Sequence, residues 1–143
     1  MNKTTLVSLS CAALLGLAVY GPLQAQAGRT TADGVYTDAQ AKRGAQVYAD
    51  TCASCHGADM KGTSVIPSLS GPEFESFWRG QPLGDLFEKI STTMPKSMPG
   101  SLTPQQSADV TAYMLTMLKA PAGKADLAPK LDELKQITIQ ATQ

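Results

Sequence analysis

The clearest apolar stripe in the chain is Leu83, Leu86, Phe87 and Ile90, at offsets 0, 3, 4 and 7, which predicts a helix over about 82–92. A second stripe, Val110, Tyr113, Met114, Met117 and Leu118, follows Thr103, Pro104 and Gln106, which together make a capping box with proline at the first helical position. Pro121 and Gly123 close that helix. A third stripe opens at Thr37 and Gln40, again a capping box, and carries Ala41, Gly44, Ala45, Tyr48, Cys52 and Cys55 at offsets 0, 3, 4, 7, 11 and 14. One long helix is expected there, with both cysteines on its buried face. Pro72–Trp78 predicts a short helix entered through proline, with Phe74, Phe77 and Trp78 on one face and Gly80 ending it.

Between these elements the punctuation is strong. Gly57, Gly62, Pro67 and Gly71 make 57–71 a loop, and two prolines and a glycine between Met94 and Gly100 forbid a helix there. Residues 28–36 have no period and read as a loose leader. The tail repeats more weakly, through Leu127, Leu131, Leu134 and Ile137, and predicts a short helix packed on the outside. No internal repeat, low-complexity tract or second domain is visible. The pattern therefore predicts an all-α domain of four to five helices over 37–120, with a C-terminal extension over 121–143.

The first 27 residues follow a different logic. Lys3, an apolar run from Leu6 to Val19, Gly21 and Pro22, then Ala25-Gln26-Ala27 give the order of a secretory signal cleaved after Ala27. The run is about 14 residues, short of the roughly 20 a spanning helix needs. Cys11 lies inside it as filler, so export leaves two cysteines, and no membrane span is expected after cleavage. A periplasmic location follows.

Composition narrows the chemistry. The 143 residues contain 12 basic and 12 acidic side chains, and removal of Lys3 leaves the exported chain slightly acidic. That balance gives no reason to expect nucleic-acid binding. Only 6% of residues are aromatic, a thin supply for the core of so short a chain. With one histidine, His56, a three-histidine metal site is impossible.

Cys52-Ala53-Ser54-Cys55-His56 is C-x-x-C-H, the attachment signature of c-type haem. Residues three apart share a face on a helical turn, so Cys52 and Cys55 can each form a thioether with one haem vinyl group, and His56 then points at the iron. A thioredoxin-like site would follow a strand, and a zinc site would have to recruit carboxylates. A disulfide across two residues closes too small a loop to stabilise much. With the histidine used, methionine is the best remaining axial donor. Met114 and Met117 belong to a helical stripe, and Met60 is only four residues beyond His56. Met94 and Met98 lie 38 and 42 residues beyond it in a proline-stiffened loop. Met94 is the expected ligand, because Pro95 biases it away from helix and fixes the following backbone; Met98 is the alternative. Pro67 can supply a carbonyl to the second ring nitrogen of His56. Trp78 and Arg79 can donate to haem propionates.

These words resemble the class I cytochromes c, and among them the cytochrome c domains and carriers of bacterial quinoprotein alcohol dehydrogenases. The resemblance rests on Cys52–Gly57, Phe77-Trp78-Arg79-Gly80, Leu83–Phe87, Thr93-Met94-Pro95, Pro99–Thr103 and Ala108-Asp109-Val110, and runs from about Ala41 to Leu118. It implies one haem c between loops, first and last helices crossing at Gly44 and Tyr48 against Tyr113, and Met94 on the iron. The second Met-Pro, at Met98, departs from the family's pattern. The function so implied is a periplasmic one-electron carrier and not an enzyme, between a dehydrogenase donor and a cytochrome or oxidase acceptor. A haem enzyme or gas-binding sensor with an open sixth site is the alternative.

Overall fold

The computed structural model describes residues 28–140. Six helices follow a single 3-10 turn at Thr31–Asp33: α1 Asp38–Thr51, α2 Ala53–His56, α3 Gly71–Trp78, α4 Leu83–Thr93, α5 Pro104–Met117 and α6 Leu131–Leu134. Among the described residues there is no strand, only isolated bridges from Thr138 to Thr30 and Pro82, so the all-α class holds. No helix among them is long and apolar enough to cross a membrane. The signal-sequence reading of residues 1–27, with Cys11, lies outside the described residues.

The predicted stripes bury where expected. Leu83, Leu86, Phe87 and Ile90 of α4 are all in the core, as are Val110, Met114 and Leu118 of the α5 stripe. α5 begins as its sequence dictates, with Thr103 Oγ1 accepting from Gln106 N–H and the Gln106 side chain accepting from Thr103 N–H. It is buried more widely than its stripe, through Ala108, Asp109, Thr111, Ala112 and Leu115, because α1 lies across it. At that crossing Gly44 has no room for a side chain. A Cβ there would sit 1.8 Å from Asp109 O, and one turn on, Tyr48 and Tyr113 meet edge to face with ring centroids 5.6 Å apart.

Four local expectations are corrected. The helix carrying the cysteines is not continuous: α1 ends at Thr51, Cys52 caps it, and α2 restarts for one turn, so Cys55 is exposed rather than on a buried stripe. At Thr37 only half of the capping box forms. Thr37 Oγ1 accepts from Gln40 N–H, but the Gln40 amide is fully buried and turns inward, donating to Leu127 O and accepting from Leu127 N–H. Phe77 does not join Phe74 and Trp78 inside; it is 68% exposed and stands edge-on to Trp78 at 5.2 Å.

The fourth correction concerns the ends. The leader is docked, not loose, and the extension reaches the core. Val35, Tyr36, Ile137 and Ile139 are buried, with Tyr36 Oη donating to Ala120 O at 2.7 Å. Residues 137–139 run between the leader and the α3–α4 turn, through Thr31 N–H to Thr138 O, Leu83 N–H to Ile137 O and Gly80 N–H to Ile139 O. Partners so distant along the chain leave no local period. Arg43 of α1 adds a bridge to the extension, pairing with Asp109 and Asp126.

The crossing sets a stability test. Gly44→Ala must push the two helix backbones apart, which is expected to cost about 3 kcal/mol; denaturant midpoints of wild type and variant check it, and an unchanged midpoint would contradict the close approach.

Candidate functional site

The motif sits where α1 hands over to α2. Thr51 Oγ1 donates to Val47 O inside the last turn of α1, and Cys52 leaves the helix with its N–H on Tyr48 O. The following turn then presents Cys52 half-buried and Cys55 exposed, with no disulfide between them. Burial pushes the Cys52 thiol up, with the Thr51 hydroxyl opposing it. Among the described residues no group of three or more His, Cys, Asp or Glu is placed to hold a metal ion.

His56 ends α2 and is buried. Its Nδ1 lies 3.0 Å from Pro67 O. A carbonyl can only accept, so Nδ1 carries the proton and donates, which leaves Nε2 with its lone pair. No described residue hydrogen-bonds to Nε2. Two unbridged sulfurs three residues apart, followed at once by an imidazole whose tautomer is fixed this way, fit haem c: Cys52 and Cys55 would carry the thioethers and His56 Nε2 would bind iron.

The carbonyl reaches His56 because the intervening loop is folded tightly. Gly62 N–H donates to His56 O at 2.9 Å and Leu69 N–H to Met60 O at 2.8 Å. Gly62 has φ 66°, and a Cβ on it would lie 2.3 Å from Ile66 O and 2.7 Å from Pro67 O, so only glycine admits this path. From the other side Tyr48 Oη donates to Gly57 O at 2.7 Å. Burial, then Cys52, Tyr113 and Asp59, push the Tyr48 hydroxyl from 10.0 up to about 12. The helix crossing thereby holds the residue next to the histidine.

The remaining candidates are distributed around this centre. Met94 caps α4, half-buried, in the extended conformation that a following proline favours; its N–H donates to Ile90 O. Met98 is 63% exposed. Trp78 is buried and Arg79 exposed at the end of α3, and neither side chain has a protein hydrogen-bond acceptor among the described residues. His56 and Pro67 are thus in direct contact, whereas Met94, Trp78 and Arg79 come from the ends of other helices. Sequence reasoning missed Tyr48 as a support for the motif, although its place on the α1 stripe was visible. It also missed Ser68 and Ser70, whose hydroxyls lie within hydrogen-bond distance of Met60 O in this loop and for which no local signal exists.

A helical domain whose C-x-x-C-H cysteines are not paired in a disulfide and whose histidine is oriented by a carbonyl has the features of a cytochrome c. Residues 39–114 match the family described as "Cytochrome C oxidase, cbb3-type, subunit III", and the chain belongs to it. Its cofactor is covalently bound haem c with iron. The chain is 29% identical over 109 residues to the cbb3-type cytochrome c oxidase subunit CcoP of Rubrivivax gelatinosus, covering 70% of this chain and 34% of that one. It is 29% identical over 91 residues to the subunit FixP of Sinorhizobium medicae (strain WSM419), covering 55% and 30%. It is 36% identical over 80 residues to the thiosulfate dehydrogenase of Thiomonas intermedia (strain K12), covering 50% and 25%. The chain thus spans about a third or less of these relatives. Among solved structures, the sulfane dehydrogenase SoxCD from Paracoccus pantotrophus matches with TM-score 0.53 and 22% identity over 74% of this chain and 53% of that one, a likeness of fold.

Tyr48 gives the site a pH signature. The unfolded tyrosine ionises near 10.0 and the folded one near 12, so its stabilising effect is complete below pH 10 and is lost as pH rises through 12. Tyr48→Phe, which leaves Gly57 O without its donor, is expected to cost about 1 kcal/mol at neutral pH. The gap to wild type should close between pH 10 and 12 in pH-resolved denaturation; a gap constant with pH would contradict the assignment.

Proposed function

We propose that this protein is an exported, periplasmic, single-haem electron carrier, with residues 1–27 removed after Ala27 and the rest forming one cytochrome domain. In this reading it takes one electron from a quinoprotein dehydrogenase and passes it to another cytochrome or to a terminal oxidase. The observation that carries the proposal is His56, held by Pro67 O in the tautomer that would offer Nε2 to iron, directly after two cysteines that are not paired in a disulfide.

When bound, haem c supplies one-electron Fe(III)/Fe(II) chemistry. The chain's own residues do the rest. Cys52 and Cys55 would tether the group so that the imidazole stays at the iron. Pro67 O keeps the proton on Nδ1 and the ring in one plane. Met94 would supply a neutral thioether to the iron, a donor that favours the ferrous state, and Pro95 stiffens the backbone beside it, so little would reorganise between oxidation states. Trp78 N–H and Arg79 are proposed partners of the propionates. In this reading no side chain performs acid–base or nucleophilic work, and the protein is a carrier.

The choice of donor rests on the resemblance of the Phe77–Gly80, Leu83–Phe87 and Thr93–Pro95 words to dehydrogenase cytochromes. Two of the relatives are named as oxidase subunits and one as a thiosulfate dehydrogenase. Electron transfer with a dehydrogenase on one side and an oxidase or cytochrome on the other is the role proposed for this chain.

Two measurements test this. The near-infrared thioether-to-iron band of the oxidised protein is expected to vanish in Met94→Ala and persist in Met98→Ala; the reverse moves the ligand to Met98. The reduced wild type is expected to resist carbon monoxide at neutral pH, whereas rapid and complete binding would mark an open sixth site and a gas-binding or catalytic haem.

A further inference from the structure

The loop between His56 and α3 is tied by more hydrogen bonds than its closure needs. Leu69 N–H on Met60 O closes it, yet two serine hydroxyls converge on the same few atoms. Ser68 Oγ lies 2.6 Å from Ser70 O and 3.1 Å from Met60 O, and it accepts from Ser70 N–H at 3.2 Å. Ser70 Oγ lies 3.3 Å from Met60 O. A hydroxyl has one hydrogen to give. Ser68 gives its own to the nearer carbonyl, Ser70 O, and Ser70 donates to the second lone pair of Met60 O beside Leu69 N–H.

The knot holds something worth holding. Met60 is buried and fixed at φ 60°, a left-handed conformation uncommon for a residue with a Cβ. Both serines are half-buried. The carbonyl that receives His56 Nδ1–H belongs to Pro67, whose carbonyl carbon is bonded to the nitrogen of Ser68, so the plane of that peptide is set from the serine side. Proline contributes no N–H with which to anchor itself.

We infer that Ser68 and Ser70 are positioning residues for His56. Their hydroxyls hold the Pro67–Ser68 peptide so that its carbonyl stays on Nδ1–H, and this fixes the donor strength of Nε2 and with it the reduction potential of the centre. The inference rests on His56 being the iron ligand. A carbonyl drawing on Nδ1–H leaves more electron density at Nε2 and favours the ferric state; a loosened carbonyl favours the ferrous state. Neither serine hydrogen-bonds to the imidazole, and neither belongs to the attachment motif.

The test uses the full chain carrying its haem, comparing wild type, Ser68→Thr and the double variant Ser68→Ala, Ser70→Ala. Exchange of His56 Nδ1–H is followed by NMR, and the ferrous-to-ferric ratio by spectroelectrochemical titration. In the double variant the exchange is expected to be about fivefold faster, the effect of weakening one hydrogen bond, and the ratio at a fixed potential to shift several-fold towards ferrous. Ser68→Thr keeps the hydroxyl and is expected to keep both wild-type values. If the double variant fails to accumulate, Ser68→Cys, close in shape but a weak donor, is expected to move both readouts the same way. Hydroxyls that merely stabilise the loop would lower the melting temperature and leave exchange and ratio unchanged, which overturns the inference. A wild-type His56 not bound to iron overturns instead the ligand assignment on which it rests.

Discussion

In the proposed reading a single imidazole serves as the iron donor in this chain, and it is best held for that task when its other nitrogen is occupied by an acceptor that never competes for the lone pair. The Pro67 carbonyl meets that condition at 3.0 Å from His56 Nδ1. Much of the surrounding structure keeps these two groups together. The Gly62 turn brings the chain back under the motif, the Met60 carbonyl gathers the returning limb of the loop, and Tyr48 holds Gly57 from the opposite side. Tyr48 in turn is fixed by the crossing of α1 and α5, which is close because residue 44 has no side chain. A packing fact in the helical frame thereby becomes a constraint on the chemistry of one nitrogen.

What was legible in the sequence follows from the range of each interaction. The stripe of α4 and the capping box of α5 are local, and both formed as their residues dictate. The C-x-x-C-H motif and the suitability of Pro67 as an acceptor were legible too, because spacing and the absence of an N–H are properties of the residues themselves. The interruption at Cys52 was not, since the helical register continues through it and only the backbone shows that α1 stops. Gln40 carries the sequence signature of a cap, yet the backbone of Leu127, 87 residues away, offers its amide two bonds in a buried place. Residues 28–36 looked unstructured for the same reason: Val35 and Tyr36 pack in a core that distant segments complete.

Phe77 illustrates a different limit. Its spacing from Phe74 and Trp78 is right for one helical face, but a helix of eight residues entered through Pro72 can bury only a narrow edge, and residues four apart occupy it. Among relatives named as oxidase subunits and as a dehydrogenase, the matched segment is a minor fraction of each protein. What a module of this size supplies is a covalently held redox centre.

The most direct test of the covalent centre is the mass of one peptide. Trypsin cleavage after Arg43 and Lys61 releases Gly44–Lys61, which contains Cys52, Cys55 and His56. From protein denatured in acidified organic solvent, that peptide is expected to carry the mass of one haem and to have no thiol that alkylates. Colour extracted into the solvent, with Gly44–Lys61 recovered at its bare mass and both thiols alkylated, would contradict covalent attachment and with it the role assigned to His56.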